Sequence, residues 1–356
     1  MNAPSLQQLR RHAISESLFE PTSLKAAVRR LGFVQADPIR APARAQDLIL
    51  RHRVKAYRAG ELERRYPTLD LEEDVLYAYG FLPRPVWRLL HPRNSAGLSK
   101  LEQKVLGTVR EFGRMHPAEL EAHFGRDRVL NAWGGYSKAT TRALEKLHHR
   151  GLLRIAGREN GIRIYESTSP VEPTPAAKRL RELVLLIANI LAPVSERSLQ
   201  GALAPLRRSF AGNGNTRDAV RDLLRLGELQ QETIDGITYV WPAGRLADDE
   251  APRGVRFLAP FDPLIWDRRR FEHFWGWAYR FEAYTPAAKR VRGYYAMPLL
   301  WGEDVVGWAN AGVTEGRLNV ALGFVDQRPR DARFRAELEI EVGRLEAFLG
   351  LNELKR

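Results

Sequence analysis

Apolar residues recur at helical spacing in several stretches punctuated by glycine. Residues 6–18 and 24–31 read as two helices, the second preceded by Thr22 and Ser23 as N-caps and stopped by Gly32. Leu101, Val105 and Val109 share one helical face. His116-Pro117-Ala118-Glu119-Leu120 opens a short helix that Gly125 closes. After Trp133-Gly134-Gly135, Ser137 is suited to cap a helix over 138–150, with Leu144 and Leu147 as its apolar stripe, and Gly151 ends it. The pattern then shortens. Residues 152–155 and 162–165 predict two strands around Arg158-Glu159-Asn160-Gly161, whose Asn-Gly pair favours a tight hairpin. Three helices followed by a hairpin are the plan of a winged helix, a helix-turn-helix variant.

The plan recurs about 75 residues later. Residues 180–191 form an apolar helical stretch, Pro193-Val194-Ser195 leads into a helix over 198–203, and Thr216 caps 217–226, ended by Gly227. Residues 229–233 and 237–241 flank Asp235-Gly236, a second hairpin turn. Pro170-Val171-Glu172-Pro173-Thr174-Pro175 separates the two modules as a stiff linker. Beyond residue 253 the chain turns aromatic and β-branched. Strands are predicted at 290–295, 305–308 and 318–322, and 333–349 closes the chain as an acidic amphipathic helix. The expected class is α+β, with winged-helix modules at 98–169 and 176–243, a β-rich domain at 253–356, and a first region at 1–92.

Composition narrows the function. There is no cysteine, which excludes disulfides, iron–sulfur clusters, cysteine zinc sites and thiol nucleophiles. No apolar run reaches the roughly 20 residues of a membrane helix, and residues 1–11 hold no apolar stretch of the secretion-signal kind. A cytoplasmic protein with no membrane partner is therefore expected. The formal charge is +13. It is concentrated at the front: residues 1–60 hold eleven Lys/Arg against four Asp/Glu, whereas 331–356 hold five against six. A polyanion-binding front fits this distribution, with nucleic acid the first candidate and solubility alone the alternative.

Four groups of residues carry candidate chemistry. In Phe33-Val34-Gln35-Ala36-Asp37-Pro38-Ile39, the proline disfavours helix at Asp37, and an extended chain places Gln35 and Asp37 on one face, Val34 and Ala36 on the other. A carboxylate beside an amide can orient and activate water. The alternative is that Asp37 merely caps a helix begun by Pro38. Arg40, Arg44, Arg51, Arg53, Lys55 and Arg58 follow, with Arg44 and Arg51 on one face if the segment is helical, as phosphate contacts or as a solvated face. Lys138, Thr141 and Arg142 lie on the expected recognition helix, and Arg154, Arg158 and Arg163 on the wing; both are suited to DNA, although a winged helix also serves protein contacts. Finally, Phe261-Asp262-Pro263-Leu264-Ile265-Trp266-Asp267-Arg268-Arg269-Arg270 sets three arginines behind an aromatic run. Its Asp262 and Asp267 read as partners of neighbouring arginines in preference to metal ligands. The histidines lack zinc spacing, His148 and His149 suit a helix C-terminus, and Ala211-Gly212-Asn213-Gly214-Asn215 lacks the lysine and hydroxyl of a phosphate loop. No cofactor and no metal are expected.

The run Gly32-Phe33-Val34-Gln35-Ala36-Asp37-Pro38-Ile39, followed by Ala41-Pro42-Ala43-Arg44-Ala45-Gln46-Asp47-Leu48, resembles the bacterial winged-helix DNA glycosylases that unhook interstrand crosslinks, the YcaQ/AlkX and AlkZ family. Phe81-Leu82-Pro83, Lys138, residues 142–153, residues 261–270, Lys289-Arg290-Val291-Arg292-Gly293-Tyr294-Tyr295 and Pro298-Leu299-Leu300 extend the resemblance over nearly the whole chain. It implies three tandem winged helices plus a C-terminal β-rich domain, C-shaped around DNA, with residues 1–92 as an atypical first module. It implies Gln35 and Asp37 as the catalytic pair of a Gln-x-Asp branch. DNA contacts would come from Arg40, Arg44, Arg51, Lys138, Arg142, Arg158, Arg163, Arg268, Arg269, Arg270, Lys289 and Arg290. The implied activity is monofunctional excision of N7-alkylated purines, bulky adducts or crosslinks from double-stranded DNA by a monomer, leaving an abasic site. Where many members carry a His-Glu pair before Leu-Pro, this chain reads Tyr77-Ala78-Tyr79-Gly80; where relatives have Gly-Arg and an acidic residue, it reads Gly307-Trp308-Ala309-Asn310. The competing reading is a non-catalytic winged-helix DNA-binding protein or transcriptional regulator; a third is a protein-interaction array.

Overall fold

Local capping accounts for most helix starts in the computed structural model, which describes residues 3–93, 97–125, 128–130, 136–169, 174–210, 214–244, 246 and 254–351. The Trp133-Gly134-Gly135 run, the linker residues 170–173 and the loop residues 211–213 lie outside the described residues. Helix α1 (Leu6–Ser17) begins in a capping box between Ser5 and Gln8. Helix α2 (Leu24–Leu31) is capped by Ser23 and ends at Gly32 in the left-handed region. Then come β1 (Val34–Gln35), α3 (Ala45–Leu50), α4 (Glu61–Arg65), β2 (Leu71–Val75), β3 (Tyr79–Pro83) and α5 (Arg84–Leu90). The three strands form one antiparallel sheet in the order β1-β3-β2. Glycine is required at Gly80, opposite Gln35, because a Cβ there would stand 2.3 Å from the Val34 carbonyl and 2.6 Å from the Phe33 ring.

The next region holds α6 (Lys100–Phe112), α7 (Pro117–Phe124), the short pair β4 (Arg128–Leu130) and β5 (Tyr136–Lys138), α8 (Ala139–His149) and the hairpin β6 (Leu153–Glu159) and β7 (Ile162–Ser167). Asn160 and Gly161 both take positive φ, as the turn chemistry predicts. The β4–β5 pair was not expected. It takes Ser137, the expected cap, and Lys138, the first residue of the predicted helix, so Lys138 ends a strand and stands at the N-cap of α8.

The following region again sets helices before a hairpin, with α11 where the β4–β5 pair stood: α9 (Ala176–Ile190), β8 (Val194–Ser195), α10 (Glu196–Ala202), α11 (Ala204–Ser209), α12 (Thr216–Arg225) and the hairpin β9 (Leu229–Ile234) and β10 (Ile237–Pro242). Asp235 and Gly236 supply the positive-φ turn. In each region a short segment adds to the hairpin: Met115 bridges Tyr165, and β8 pairs with β10. The chain closes with β11 (Val255–Phe257), α13 (Pro263–Trp266), α14 (Arg268–Trp275), β12 (Met297–Trp301), β13 (Asp304–Thr314), β14 (Arg317–Phe324) and α15 (Ala332–Leu349), its four strands in sequential antiparallel order. The molecule is thus α+β. Residues 290–295, expected as a strand, form an irregular loop instead.

The cores cross the regional borders. One apolar cluster joins Leu48 and Phe81 to Val105 and Leu147, and these to Phe257, Met297 and Phe334. Another packs Leu82, Trp87 and Leu90 against Leu183, Ile187 and Leu223. Buried polar groups cross as well. Glu72 receives Arg154 at 2.9 Å, Tyr66 donates to the Ile155 carbonyl at 2.6 Å, and His148 meets the Glu73 carbonyl at 2.9 Å. The hairpin β6–β7 is therefore fixed against β2 by matched groups, and with it the geometry of the site below. No helix among the described residues is long and apolar enough to cross a membrane.

Candidate active site

Asp37 lies just beyond β1, where the strand breaks before Pro38. Its backbone N–H reaches Gln46 Oε1 at 3.4 Å, and its Oδ1 accepts the Ile39 N–H at 2.9 Å. Asp37 caps no helix, since the next one starts at Ala45. The carboxylate is half-buried, and desolvation raises its pKa above the ordinary carboxylate value in spite of the Ile39 amide. It opens onto a cleft of about 280 Å³, at the lower edge of the ~300–1,000 Å³ typical of small-molecule sites. Ala36 lines this cleft too. The strict alternation expected of residues 34–37 holds only through Gln35, where β1 ends.

Gln35 pairs with Gly80 in the sheet. It lies beside the cleft, not among its lining residues, and its buried Oε1 has no hydrogen-bond partner. Across the cleft stand Arg158 and Arg163 from the hairpin β6–β7, Tyr79 from β3, and Arg44 paired with Glu63. Arg163 stacks on the Tyr79 ring at 4.7 Å from its centroid, and the Tyr79 hydroxyl donates to Glu73 at 2.6 Å. Gln46 links the two sides by donating to Glu63 at 3.3 Å. Gln46, Glu63, Glu73 and Tyr79 were not among the expected site residues. Gln46 and Tyr79 stand in segments singled out in the sequence, whereas nothing in the chain around Glu63 or Glu73 marks them.

The expected DNA-contact residues divide by burial. Arg40, Arg269 and Lys289 are exposed, and Arg142 is half-buried. Lys138 is ion-paired with Glu121 at 2.6 Å. Arg290 donates to the Thr285 carbonyl at 2.8 Å and covers the Tyr294 ring. Arg44, Arg158 and Arg163 gather at the cleft.

Several expectations are corrected. Arg51 is buried, ion-paired with Glu341 and donating to the Phe257 carbonyl, so it presents no charge to a phosphate. Its shared face with Arg44 does not exist either, because α3 is six residues long and the two arginines cap its opposite ends. Arg53 is fully buried in a bidentate pair with Asp262, at 2.8 and 3.0 Å. Arg270 is buried and gives its donors to the carbonyls of Leu191, Pro193, Pro263 and Leu264. Arg268 is spent on the carbonyls of Pro260 and Ile265 and stacks on Tyr279. Arg154 on β6 is held by Glu72 and Glu166. Asp262 thus pairs with a distant arginine and not a neighbouring one, and Asp267 caps α14 while accepting from Ser195 and Ser198. Among the described residues, no group of three or more His, Asp or Glu could hold a metal ion.

A family model described as "DNA glycosylase AlkZ-like" matches residues 28–348. The fold is similar to that of the Streptomyces sahachiroi DNA glycosylase AlkZ, with a TM-score of 0.66 at 16% sequence identity over 98% of each chain.

Proposed function

The chain belongs to the AlkZ-like DNA glycosylase family and is a DNA glycosylase, and from that premise we propose that it hydrolyses the N-glycosidic bond of N7-alkylated purines in duplex DNA, bulky adducts and crosslinks included. An N7-alkylguanine is already cationic and leaves as a neutral base, so the barrier lies in positive charge developing on the deoxyribose. Asp37 stabilises that charge and accepts a proton from the attacking water. Water adds to C1′ as the C1′–N9 bond breaks; the bond's electron pair leaves with the base and an abasic site remains. Gln35 holds the water through its amide. No lysine nucleophile is needed, and the enzyme is monofunctional.

The observation that carries this reading is a half-buried carboxylate of raised pKa facing a cleft ringed by Arg44, Arg158 and Arg163. Its open side suits a base that cannot swing freely out of a crosslinked duplex. On this reading residues 1–92, 98–169 and 176–243 are three winged helices, and with the β-rich 253–356 they curve around the duplex as a monomer. Arg40, Arg142, Lys138, Arg269, Lys289 and Arg290 serve its phosphates, and the protein works on DNA in the cytoplasm.

The test is Asp37→Asn with duplex DNA carrying N7-methylguanine. The variant binds this DNA as the parent does and releases no base. For the parent, kcat/KM falls with acid as Asp37 is protonated, in a limb lying above the ordinary carboxylate range. Unchanged base release by the variant overturns the assignment; sequence-specific binding of undamaged duplex without abasic product favours a regulator.

A further inference from the structure

Two carboxylates line the Asp37 cleft, Asp37 itself and Glu63. The catalytic reading uses the first and leaves the second without a task. Glu63 stands in the middle of α4, and its place is fixed from behind. The buried Tyr57 hydroxyl donates to Asp47 at 2.7 Å and accepts the Leu62 N–H at 3.1 Å. This ties the residue after Gln46 to the residue before Glu63. The two side chains then meet in the cleft, where Gln46 Nε2 donates to Glu63 Oε1 at 3.3 Å. Arg44 gives its guanidinium to that same oxygen.

Oε1 thus has a donor for each of its lone pairs. Oε2 accepts from none of the described residues, and the side chain keeps 21% of its surface open. The neighbouring donors are taken: Arg158 by Glu73 and the Gly161 carbonyl, and the Tyr79 hydroxyl by Glu73. A carboxylate oxygen held in place and left idle is an acceptor prepared for a donor from outside the chain. The rings of Pro38, Tyr79 and Phe81 line the same cleft and supply apolar surface for the faces of a base.

We propose that Glu63 is the residue that reads the base: its Oε2 accepts from the N1–H and N2 amino group of guanine. The Watson–Crick edge of guanine sets these two donors side by side, whereas adenine presents a lone pair at N1, which the carboxylate repels. The proposal rests on the reading that this cleft excises N7-alkylated purines, and adds which purine is chosen and by which group. Charge gives Glu63 a kinetic signature. The N7-alkylated base is cationic before cleavage and neutral after it, so a carboxylate at its edge attracts the intact lesion more than the departing base. Loss of Glu63 therefore falls on KM, and loss of Asp37 on kcat.

The test exploits the idle oxygen. In Glu63→Gln the amide oxygen takes the place of Oε1, because Arg44 and Gln46 both donate there, and the amide nitrogen takes that of Oε2. An acceptor becomes a donor, matched to N1 of adenine and opposed to the N1–H of guanine. Duplexes carrying N7-methylguanine or N7-methyladenine, each on 2′-fluoroarabinose to slow spontaneous base loss, are titrated by anisotropy in the Asp37→Asn background, which needs no catalysis. Asp37→Asn binds the guanine lesion on the order of tenfold more tightly. Adding Glu63→Gln reverses the order, and adding Glu63→Ala brings the two affinities together; thermal melting checks that each variant is folded. Equal binding of the two lesions by Asp37→Asn, or a guanine preference that survives both substitutions, overturns Glu63 as the reader. Base release by the parent is measured separately on N7-methylguanine in ordinary deoxyribose. Its absence, with the reversal in binding intact, overturns the excision reading alone.

Discussion

Glu73 of β2 and Arg158 of β6 form an ion pair across the border between the first region and the hairpin β6–β7, with Arg158 Nε at 3.1 Å from Glu73 Oε1. The same carboxylate accepts the Tyr79 hydroxyl. Both partners face the cleft that holds Asp37. One buried acid therefore fixes two cleft walls drawn from regions about 80 residues apart in the chain. Burial alone disfavours the Arg158 charge; the hydrogen bonds and charge of Glu73 overcome it and raise its pKa.

Glu73 is thus expected to be a positioning residue. Glu73→Gln keeps the shape but leaves Arg158 without its counter-charge and Tyr79 with a weaker acceptor. We expect kcat for base release to fall on the order of 10- to 100-fold, the scale for misplacement of site groups near 1 Å. KM for the damaged duplex changes little. Arg158→Lys, which keeps the charge but loses the fork, falls in the same direction. A kcat equal to the parent's in both variants removes Glu73 from the site, and thermal melting separates this loss from unfolding.

The arginines that composition treats as one class should separate by salt dependence. Arg40 and Arg269 are exposed, and their guanidinium groups make no ion pair or hydrogen bond among the described residues. Arg51 and Arg270 are buried, Arg51 paired with Glu341 and Arg270 donating to the Leu191 and Pro263 carbonyls. In anisotropy titrations across salt concentrations, Arg40→Ala and Arg269→Ala each reduce the slope of log K against log salt by about 1. Arg51→Met and Arg270→Met leave the slope unchanged and lower stability, by about 3–5 kcal/mol where a buried charge loses its partner. An unaltered slope in Arg40→Ala takes that residue out of the DNA face.

Legibility in the sequence followed the range of the interaction. The hairpin turns at Asn160-Gly161 and Asp235-Gly236, the Ser23 cap and the Gly32 stop are decided within a few residues, and each stands where the local chemistry places it. The non-helical backbone at Asp37 was legible for the same reason, since Pro38 controls it. The fate of an arginine is not local. Arg51 meets Glu341 and Arg53 meets Asp262 across 290 and 209 residues, and no spacing along the chain reveals that these charges are spent inside. Residues 290–295 carry the β-branched and aromatic composition of a strand, yet a carboxylate from residue 282 takes the amides a neighbouring strand would have used. Glu63 and Glu73 reach the cleft only through tertiary packing.

Asp74 lets the border between regions be tested by pH. Its Oδ2 meets His91 Nε2 at 2.8 Å and its Oδ1 meets Arg93 at 2.9 Å, all three residues being buried. Burial opposes ionisation of this carboxyl, but the Arg93 charge and the His91 hydrogen bond outweigh it and hold the pKa well below the usual carboxylate range. The unfolded chain titrates this group near ~3.9. A carboxyl whose folded pKa is depressed adds stability that is fully present above the unfolded value and disappears as pH falls toward the folded one. Asp74→Asn removes the charge and strands Arg93, which also holds the Val75 and His149 carbonyls and so ties α8 to the first region. At neutral pH we expect a loss of about 3–5 kcal/mol in urea unfolding. Other acids titrate in both proteins and cancel in the difference. The gap between parent and variant should therefore be constant above about pH 5 and close progressively below about pH 4. A gap that stays level down to about pH 2 means that Asp74 contributes shape and not charge, and that the His91–Asp74–Arg93 group does not hold the two regions together electrostatically.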